Sequence, residues 1–581
     1  EADYATANEW LTRLAGRFAA EHPSCRCLAV EWSVWSGVGM AERLGTVEAL
    51  ARDGIMPIPP GRGIAILRDL VARSLPALSV VVTGRFGSVP TLRPEPREYP
   101  FLRFLERPRV DIPGVELVVD VELATDTDPY LDDHVFRGER LFPAVLGLEA
   151  MVQVARTLAG DAELPTFEDV RFERPVSVPG DSTTTIRLAA LAHGPGRVEV
   201  VLRCASTAFQ VDHFRATCCF ERSAVGTQRS AAGFEVPGDR VPLDPGRDLY
   251  GTILFHEGRF RRLLGYRRLG ATECVAEVAP GETDDWFGRY LPSALLLGDP
   301  AARDAVIHAV QACIPHRTLL PIGVKRLTIN SVPAPGLRFV RALERSHQDD
   351  TLTYDLEVTD ADGWVCERWE GLRLRAIQGT ELRGPWAVPL LGPYLERRVR
   401  ELIPGAEVSI VVQRDGTSGR RPRTRRALEV AVGHPVHIRR RPDGRPEIAD
   451  DRVVSSAHAG DLTLAVVGRG DIGCDIEPVE PRPEAFWRDL LGPERLGLAH
   501  RIAREAKEGL ETSSTRVWAV SECLEKAGAM IDSPLILAAH RDGRVVLASG
   551  ALSIATEVVR VRDVEPPLVV AIAARSDHAR L

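Results

Sequence analysis

At 581 residues the chain is too long for one compact domain; at roughly 150 residues per domain it should make about four folding units. With 44% hydrophobic and 27% charged residues it has the make-up of a globular protein, which excludes collagen-like, disordered and disulfide-scaffold classes. A formal charge of −8, from 73 basic and 81 acidic residues, excludes a surface built throughout to hold nucleic acid, and no apolar run approaches the ~18 residues of a membrane span.

Ten cysteines are scattered without a CxxC pair, which fits reduced thiols and a cytoplasmic location better than disulfides or a zinc knuckle. The sequence opens on a helix-like segment instead of a methionine or a signal peptide, so it is expected to be a piece of a longer protein. Proline clusters mark two joints, 93–113 and 379–388, which are expected to be linkers between segments 1–92, 114–378 and 389–581.

In residues 1–92, Tyr4 and Asn8 fall one turn apart on a helix whose apolar side carries Trp10, Leu11 and Leu14. A strand over Cys27–Trp35 and a loop through Gly37, Gly39 and Met40 follow. A Tyr and an Asn four apart are by themselves an ordinary solvated face. With Trp32 and Trp35 ending the strand, the segment resembles the C-terminal half of a polyketide synthase ketoreductase, a partial Rossmann-like fold. The resemblance implies that Tyr4 and Asn8 are catalytic, the phenol donating a proton as NADPH delivers hydride. No Gly-rich dinucleotide turn precedes Tyr4, so NADPH is expected only in a complete ketoreductase, and this segment alone should not reduce a β-ketoacyl thioester.

Residues 114–378 repeat one order twice: an apolar strand, a helix, then several strands. The first copy has Val115–Leu123, a helix after Pro143 and Val198–Cys204; the second has Val275–Val278, a helix after Pro300 and Leu352–Val358. His134 stands on a loop before the first helix, which should bury Val145, Leu148, Val152 and Ala155 on one stripe. On the second helix Asp304, His308 and Gln311 fall at i, i+4 and i+7 among apolar residues. Such a polar stripe needs a reason. An internally hydrogen-bonded stripe is one; a metal on Asp304 and His308 would lack an evident third ligand.

His134-x3-Gly138-x4-Pro143, the Asp304 helix and Leu320-Pro321-Ile322-Gly323 together resemble a polyketide synthase dehydratase, a double hot-dog fold. The resemblance implies that His134 removes the α-proton of a β-hydroxyacyl thioester. Asp304, kept protonated by a dry pocket, would protonate the leaving hydroxide, with His308 and Gln311 orienting the groups. Tyr250, in Tyr250–Phe260, resembles a pocket-lining residue of the family, and His256 is the alternative base. Arg303 departs from the apolar residue usual before the Asp.

In residues 389–581, Asp475 and Glu477 point the same way from an extended segment, and Glu522 and Lys526 share a helix face. Three converging carboxylates suit Mg2+, and a lysine is uncommon here, since Lys325, Lys507 and Lys526 are the only three. Asp471-Ile-Gly473-Cys-Asp475-Ile-Glu477 and Trp518-x3-Glu522-x3-Lys526 resemble 4'-phosphopantetheinyl transferases, a pseudo-dimeric α+β fold. Nine arginines lie in 416–446 without aromatic residues for base stacking, which favours coenzyme A phosphates over nucleic acid. Arg445 of Asp443-Gly-Arg445-Pro, His458 and Arg421 are the implied coenzyme A contacts, with Lys526; the implied metal ligands are Asp475, Glu477 and Glu522, and Glu522 and Lys526 are also implied to be catalytic.

The order of the three segments resembles the C-terminal portion of an enediyne-type iterative polyketide synthase. That implies a multifunctional enzyme that dehydrates carrier-bound β-hydroxyacyl chains and loads its own acyl carrier domain. Upstream ketosynthase and acyltransferase domains, a discrete thioesterase and a homodimer are the implied partners, with no nucleic acid or membrane. The alternative is a non-catalytic hot-dog scaffold beside a working transferase.

Overall fold

The computed structural model describes residues 2–52, 55–73, 77–84, 98–161, 163–194, 196–220, 229–230, 238–279, 285–330, 336–379, 381–416, 419–442, 444–449, 451–530, 532–541 and 543–575. Two compact units are present, Glu1–Glu98 and Tyr99–Leu581.

In the first unit the helix Ala2–Glu21 is followed by strand Ala29–Trp32, which pairs in parallel with Ser79–Val82, and a helix spans Pro60–Ala72 between them. Parallel strands need such a crossover. The strand expected over Cys27–Trp35 is thus shorter than the sequence suggested, with Trp35 forming only a bridge to Ile58. Trp10, Leu11 and Leu14, read as an apolar side, remain exposed within this unit.

The second unit is built around a sheet of twelve strands. Its two halves repeat one plan, and Thr166–Phe172 of the first pairs antiparallel with Leu319–Ile329 of the second to make the sheet continuous. Each half wraps its strands around a helix: Ala144–Ala159 in the first, and Pro300–His308 continued by the tighter turn Ala309–Cys313 in the second. The expected tandem repeat is therefore present, in the arrangement of a double hot-dog. The first helix was expected to bury one stripe, yet Leu146, Ala150, Met151 and Val154 are as buried as Leu148 and Val152. A helix gripped by a curved sheet and by a neighbouring helix has no solvent face.

Among the described residues the C-terminal region carries, besides a two-stranded sheet of Ile438–Arg440 with Pro446–Ile448, two larger ones. One pairs Val408–Arg414, Leu462–Gly468 and Val453–Ala459; the other runs from Gly473–Pro478 through Val564–Arg575, Leu552–Val561 and Arg544–Ser549 to Ile536–Arg541. Helices Val388–Leu402 and Arg420–Val432 pack against the first sheet, and Leu510–Ala527 against the second.

Neither expected linker holds. Within 93–113, residues 98–113 are described, and they are part of the fold: Phe104 lies in the main core and Arg103 is buried on Asp128, 2.8 Å away. Arg107–Ile112 forms the outermost strand of the large sheet, where Pro108 deprives no neighbour of a hydrogen bond. Within 379–388, Trp386 packs in the C-terminal core and Ala387 in the core of the large sheet. The helix that follows belongs to both regions. Arg397 reaches from it to Glu344, to the Tyr354 hydroxyl and to the carbonyls of Ala271 and Cys313. Arg562 pairs in the same way with Asp248. Residues 99–581 form one body because charged groups are buried across the joint, and a buried charge that loses its partner is costly. In the intact chain Arg397→Ala is expected to destabilise this body by about 3–5 kcal/mol, read from urea denaturation; an unchanged midpoint would contradict the shared helix.

Candidate active site and candidate metal centre

The first site forms where the two halves of the large sheet meet. His134 ends the turn Pro129–Asp133, and its backbone bridges to His256 of the second half. The contact is close because Gly258 sits against Asp133: a Cβ there would fall 2.2 Å from the Asp133 carboxylate. Arg259 pairs with the same carboxylate, and the Glu257 N–H donates to the Asp133 carbonyl. Residues 256–259 are thereby fastened to residues 133–134.

The side chains converge behind that clasp. His134 Nδ1 lies 2.8 Å from the Leu141 carbonyl, so it carries the proton and Nε2 keeps its lone pair. Asp304 Oδ2 faces two imidazoles, His256 Nε2 at 3.0 Å and His308 Nδ1 at 3.2 Å. Tyr250 Oη lies 3.2 Å from His308 Nε2. All five side chains are buried. His134, His256, Asp304 and His308 line a cavity of about 420 Å³, with Phe136 and Phe214 among its apolar walls.

Burial pushes the His134 imidazole down to about 4, because a charged ring would be desolvated. Burial also lowers His256, with His308 adding to it. For Asp304 burial favours the neutral acid, but His256 and His308 outweigh it and hold the carboxyl well below the usual range. This departs from one expectation: Asp304 is buried, yet two facing imidazoles oppose its standing as an isolated protonated acid.

Gln311 is also placed differently from expectation. Its amide nitrogen donates to the Ile314 carbonyl, 2.9 Å away, and also to that of Arg317, while its oxygen accepts from Leu319 N at 3.0 Å. The amide is consumed in holding the turn after the helix, although the side chain still lines the cavity. The unusual Arg303 is accommodated by Glu367, 2.7 Å away, and by the Leu297 carbonyl. His256, the alternative base of the sequence reading, stands at the centre. Its only signal in the sequence is its place six residues after Tyr250.

A ligand atom of each of His134, His256 and Asp304 lies within 4.8 Å of the others, so the missing third ligand is no longer the objection to a metal. The hydrogen bonds argue for proton chemistry instead: the nitrogen of His256 that meets Asp304 already shares a proton with it, and both imidazoles are set in a chain ending on Tyr250.

The second site lies where strand Gly473–Pro478 packs on helix Leu510–Ala527. Lys526 Nζ lies 2.7 Å from Asp475 Oδ1, and Asp475 Oδ2 is buried with no hydrogen-bond partner among the described residues. Burial raises Asp475, Glu477 and Glu522, and Asp475 adds repulsion to the other two. An all-oxygen donor set with mutual repulsion and an unpartnered buried oxygen fits a hard cation such as Mg2+. Among the described residues these three carboxylates stand wider apart than the 4.8 Å grouping of the first site.

Of the expected coenzyme A contacts, Arg421 is exposed and Arg445 donates to the Glu525 and Lys526 carbonyls at the end of the same helix. His458 is held between Thr424 and Thr463 and is pushed down to about 4 by burial and by Arg423. Arg423 is buried against the Gly460 and Leu462 carbonyls, a structural use of one of the nine arginines. Asp443 lies outside the described residues. In the first unit Tyr4 is 60% exposed, and Asn8 Nδ2 donates to the Tyr4 carbonyl at 2.9 Å.

Comparison with known proteins bears on the first site. Residues 105–203 match the family model described as "Polyketide synthase dehydratase domain", and residues 232–384 match "Polyketide synthase dehydratase N-terminal domain". A polyunsaturated fatty acid synthase polypeptide of Thraustochytrium is 23% identical over 344 residues, 58% of this chain and 11% of that protein. Polyketide synthase PksM of Bacillus subtilis is 21% identical over 45% of this chain and 6% of that protein; GfsB of Streptomyces halstedii is 28% identical over 45% and 5%. The chain thus spans about a tenth or less of these relatives. Among solved structures, the dehydratase domain from the CurF module of curacin polyketide synthase gives a TM-score of 0.40 at 18% identity, covering 48% of this chain and 99% of that one.

An imidazole held neutral by burial contributes stability above its ordinary pKa of 6.5, and that contribution is lost as pH falls toward about 4. His134, assigned by the spectrum of His134→Gln, should therefore titrate near pH 4 in an imidazole NMR titration; a midpoint at 6.5 would contradict the buried site. Residues 105–203 and 232–384 are thus similar to polyketide synthase dehydratase domains, and the cavity is lined by residues of both matched segments.

Proposed function

We propose that this region eliminates water from β-hydroxyacyl thioesters presented on an acyl carrier domain. The observation that carries the reading is the opposition, across one cavity, of a lone-pair imidazole and a proton-sharing acid pair. His134 Nε2, kept unprotonated by the Leu141 carbonyl on its other nitrogen, takes the α-proton. The β-oxygen leaves toward Asp304 and its imidazoles, which supply the proton. His308 fixes Asp304 and is itself fixed by Tyr250, so the acid side is held in place before substrate arrives. The apolar walls exclude water and suit a hydrocarbon chain. On a carrier-bound substrate, His134→Ala and Asp304→Asn are each expected to lower elimination by about 10² or more, measured by mass spectrometry of the acyl chain. Turnover unchanged in either variant sinks the pair, and an inactive wild-type chain favours a scaffold.

For the C-terminal region we propose phosphopantetheine transfer from coenzyme A to a serine of the carrier domain. What supports it is the buried Asp475 carboxylate beside Lys526, with Glu477 and Glu522 next to it and a basic helix, Arg420–Val432, in the same region. Asp475, Glu477 and Glu522 would hold Mg2+, which when bound neutralises charge on the pyrophosphate. Lys526 holds Asp475 in position, and Glu522 is placed to accept the serine proton. In the intact chain Asp475→Ala should abolish the mass gain of an apo carrier protein incubated with coenzyme A and Mg2+, and EDTA should abolish it in the wild type; loading at the wild-type rate would refute the assignment.

The ketoreductase-like first unit, with Tyr4 and Asn8 on an exposed face and only two paired strands among its described residues, is proposed to need a complete partner fold before NADPH can bind. The order of segments supports an iterative, enediyne-type synthase, with ketosynthase and acyltransferase domains upstream, a discrete thioesterase and a homodimeric assembly.

A further inference from the structure

Resting on the dehydratase reading above, we infer that His256 is the group that touches the β-hydroxyl and delivers its proton, with Asp304 acting one step behind it. Three observations point there. Asp304 Oδ2 is already engaged by His256 and His308, so that oxygen is committed to two rings. His256 lies between the base and the acid, its ring 5.3 Å from that of His134 and 4.3 Å from that of His308. And while His256 Nε2 meets Asp304, its Nδ1 is buried without a hydrogen-bond partner among the described residues, in a residue that lines the cavity. A buried ring nitrogen left unpaired in a cavity-lining residue is free to meet a polar atom of a bound molecule. The ring is held for that purpose: Phe255 stacks on it at 4.1 Å, and the clasp of Gly258 and Arg259 on Asp133 fixes the backbone.

The step balances as follows. Burial and His308 lower His256 while the Asp304 carboxylate opposes them, and the step requires the pair in its charged form, with one proton shared at Nε2 and a second taken up at Nδ1. The Cα–H bond breaks and its proton passes to His134 Nε2, while the electron pair forms the Cα=Cβ bond. The Cβ–O bond breaks with its electrons on oxygen, and that oxygen takes the Nδ1 proton to leave as water. The shared proton settles on Nε2, leaving Asp304 as a carboxylate facing two N–H donors. The proton on His134 returns to Nδ1 through the released water before the next turnover. Asp304 is thus needed for the charge it stabilises on His256, and this is why its own pair of imidazole contacts does not disable it.

A leaving group that needs no proton separates this role from a structural one. The intact chain is given a β-hydroxyacyl thioester and the matching β-acetoxyacyl thioester, whose acetate departs unprotonated. His256→Gln should lose about 10² or more in rate on the β-hydroxy substrate but stay within a few-fold of wild type on the β-acetoxy one, whereas His134→Gln should lose both. The readout is a ratio on one protein sample, so a smaller folded fraction cancels, and His256→Asn should give the same ratio. Equal loss on both substrates, or loss on neither, overturns the role of His256 and leaves the dehydratase reading standing. A wild-type chain that eliminates neither substrate overturns both.

Discussion

The pairing of strand Thr166–Phe172 with Leu319–Ile329 is the contact on which the rest depends. Without it each half would be a short sheet around one helix, with an open edge exposing unpaired N–H and C=O groups. With it the two edges satisfy one another, the helices lie against each other, and the loop bearing His134 meets the loop bearing His256. Gly323 stands in the join: a Cβ would come within 2.4 Å of the Val170 carbonyl. The glycine of Leu320-Pro321-Ile322-Gly323 thus has a packing reason, and the three residues before it line the cavity.

That geometry also governs the electrostatics. Side chains buried between two packed halves are poorly solvated, so each ionisable group takes the state its neighbours permit. His134 faces one carbonyl and apolar walls and stays neutral; Asp304 faces two imidazoles and stays charged or shares its proton. The same logic on the C-terminal side gives a different outcome. There burial raises three carboxylates, Asp475 adds repulsion to Glu477 and Glu522, and one lysine compensates for Asp475, a surplus of negative charge that suits a divalent cation.

Much of this was legible in the sequence, and the limits follow from what local sequence encodes. Strand and helix periodicity gave the tandem halves, because buried faces impose a period. His134 was singled out by the resemblance of His134-x3-Gly138-x4-Pro143 to a dehydratase motif, and Asp304 by its place on the polar stripe of an otherwise apolar helix. His256 was visible only as an alternative, since its role comes from a partner some 120 residues earlier in the chain. Gln311 was misread for a related reason: its spacing shares a face with Asp304, but its amide is captured by a turn that spacing does not reveal. The linkers failed because proline excludes a central strand, whereas an edge strand tolerates it. The buried Arg397 network could not be read at all, because nothing local marks an arginine as internal.

The central claim is that the two halves together make one elimination site, and the most direct test is mass spectrometry of a carrier protein loaded with a β-hydroxyacyl chain after incubation with the intact chain. The account predicts that the acyl chain loses one water and that, in deuterated water, the reverse hydration places deuterium on its α-carbon. A chain that keeps its water at every acyl length tried would contradict it.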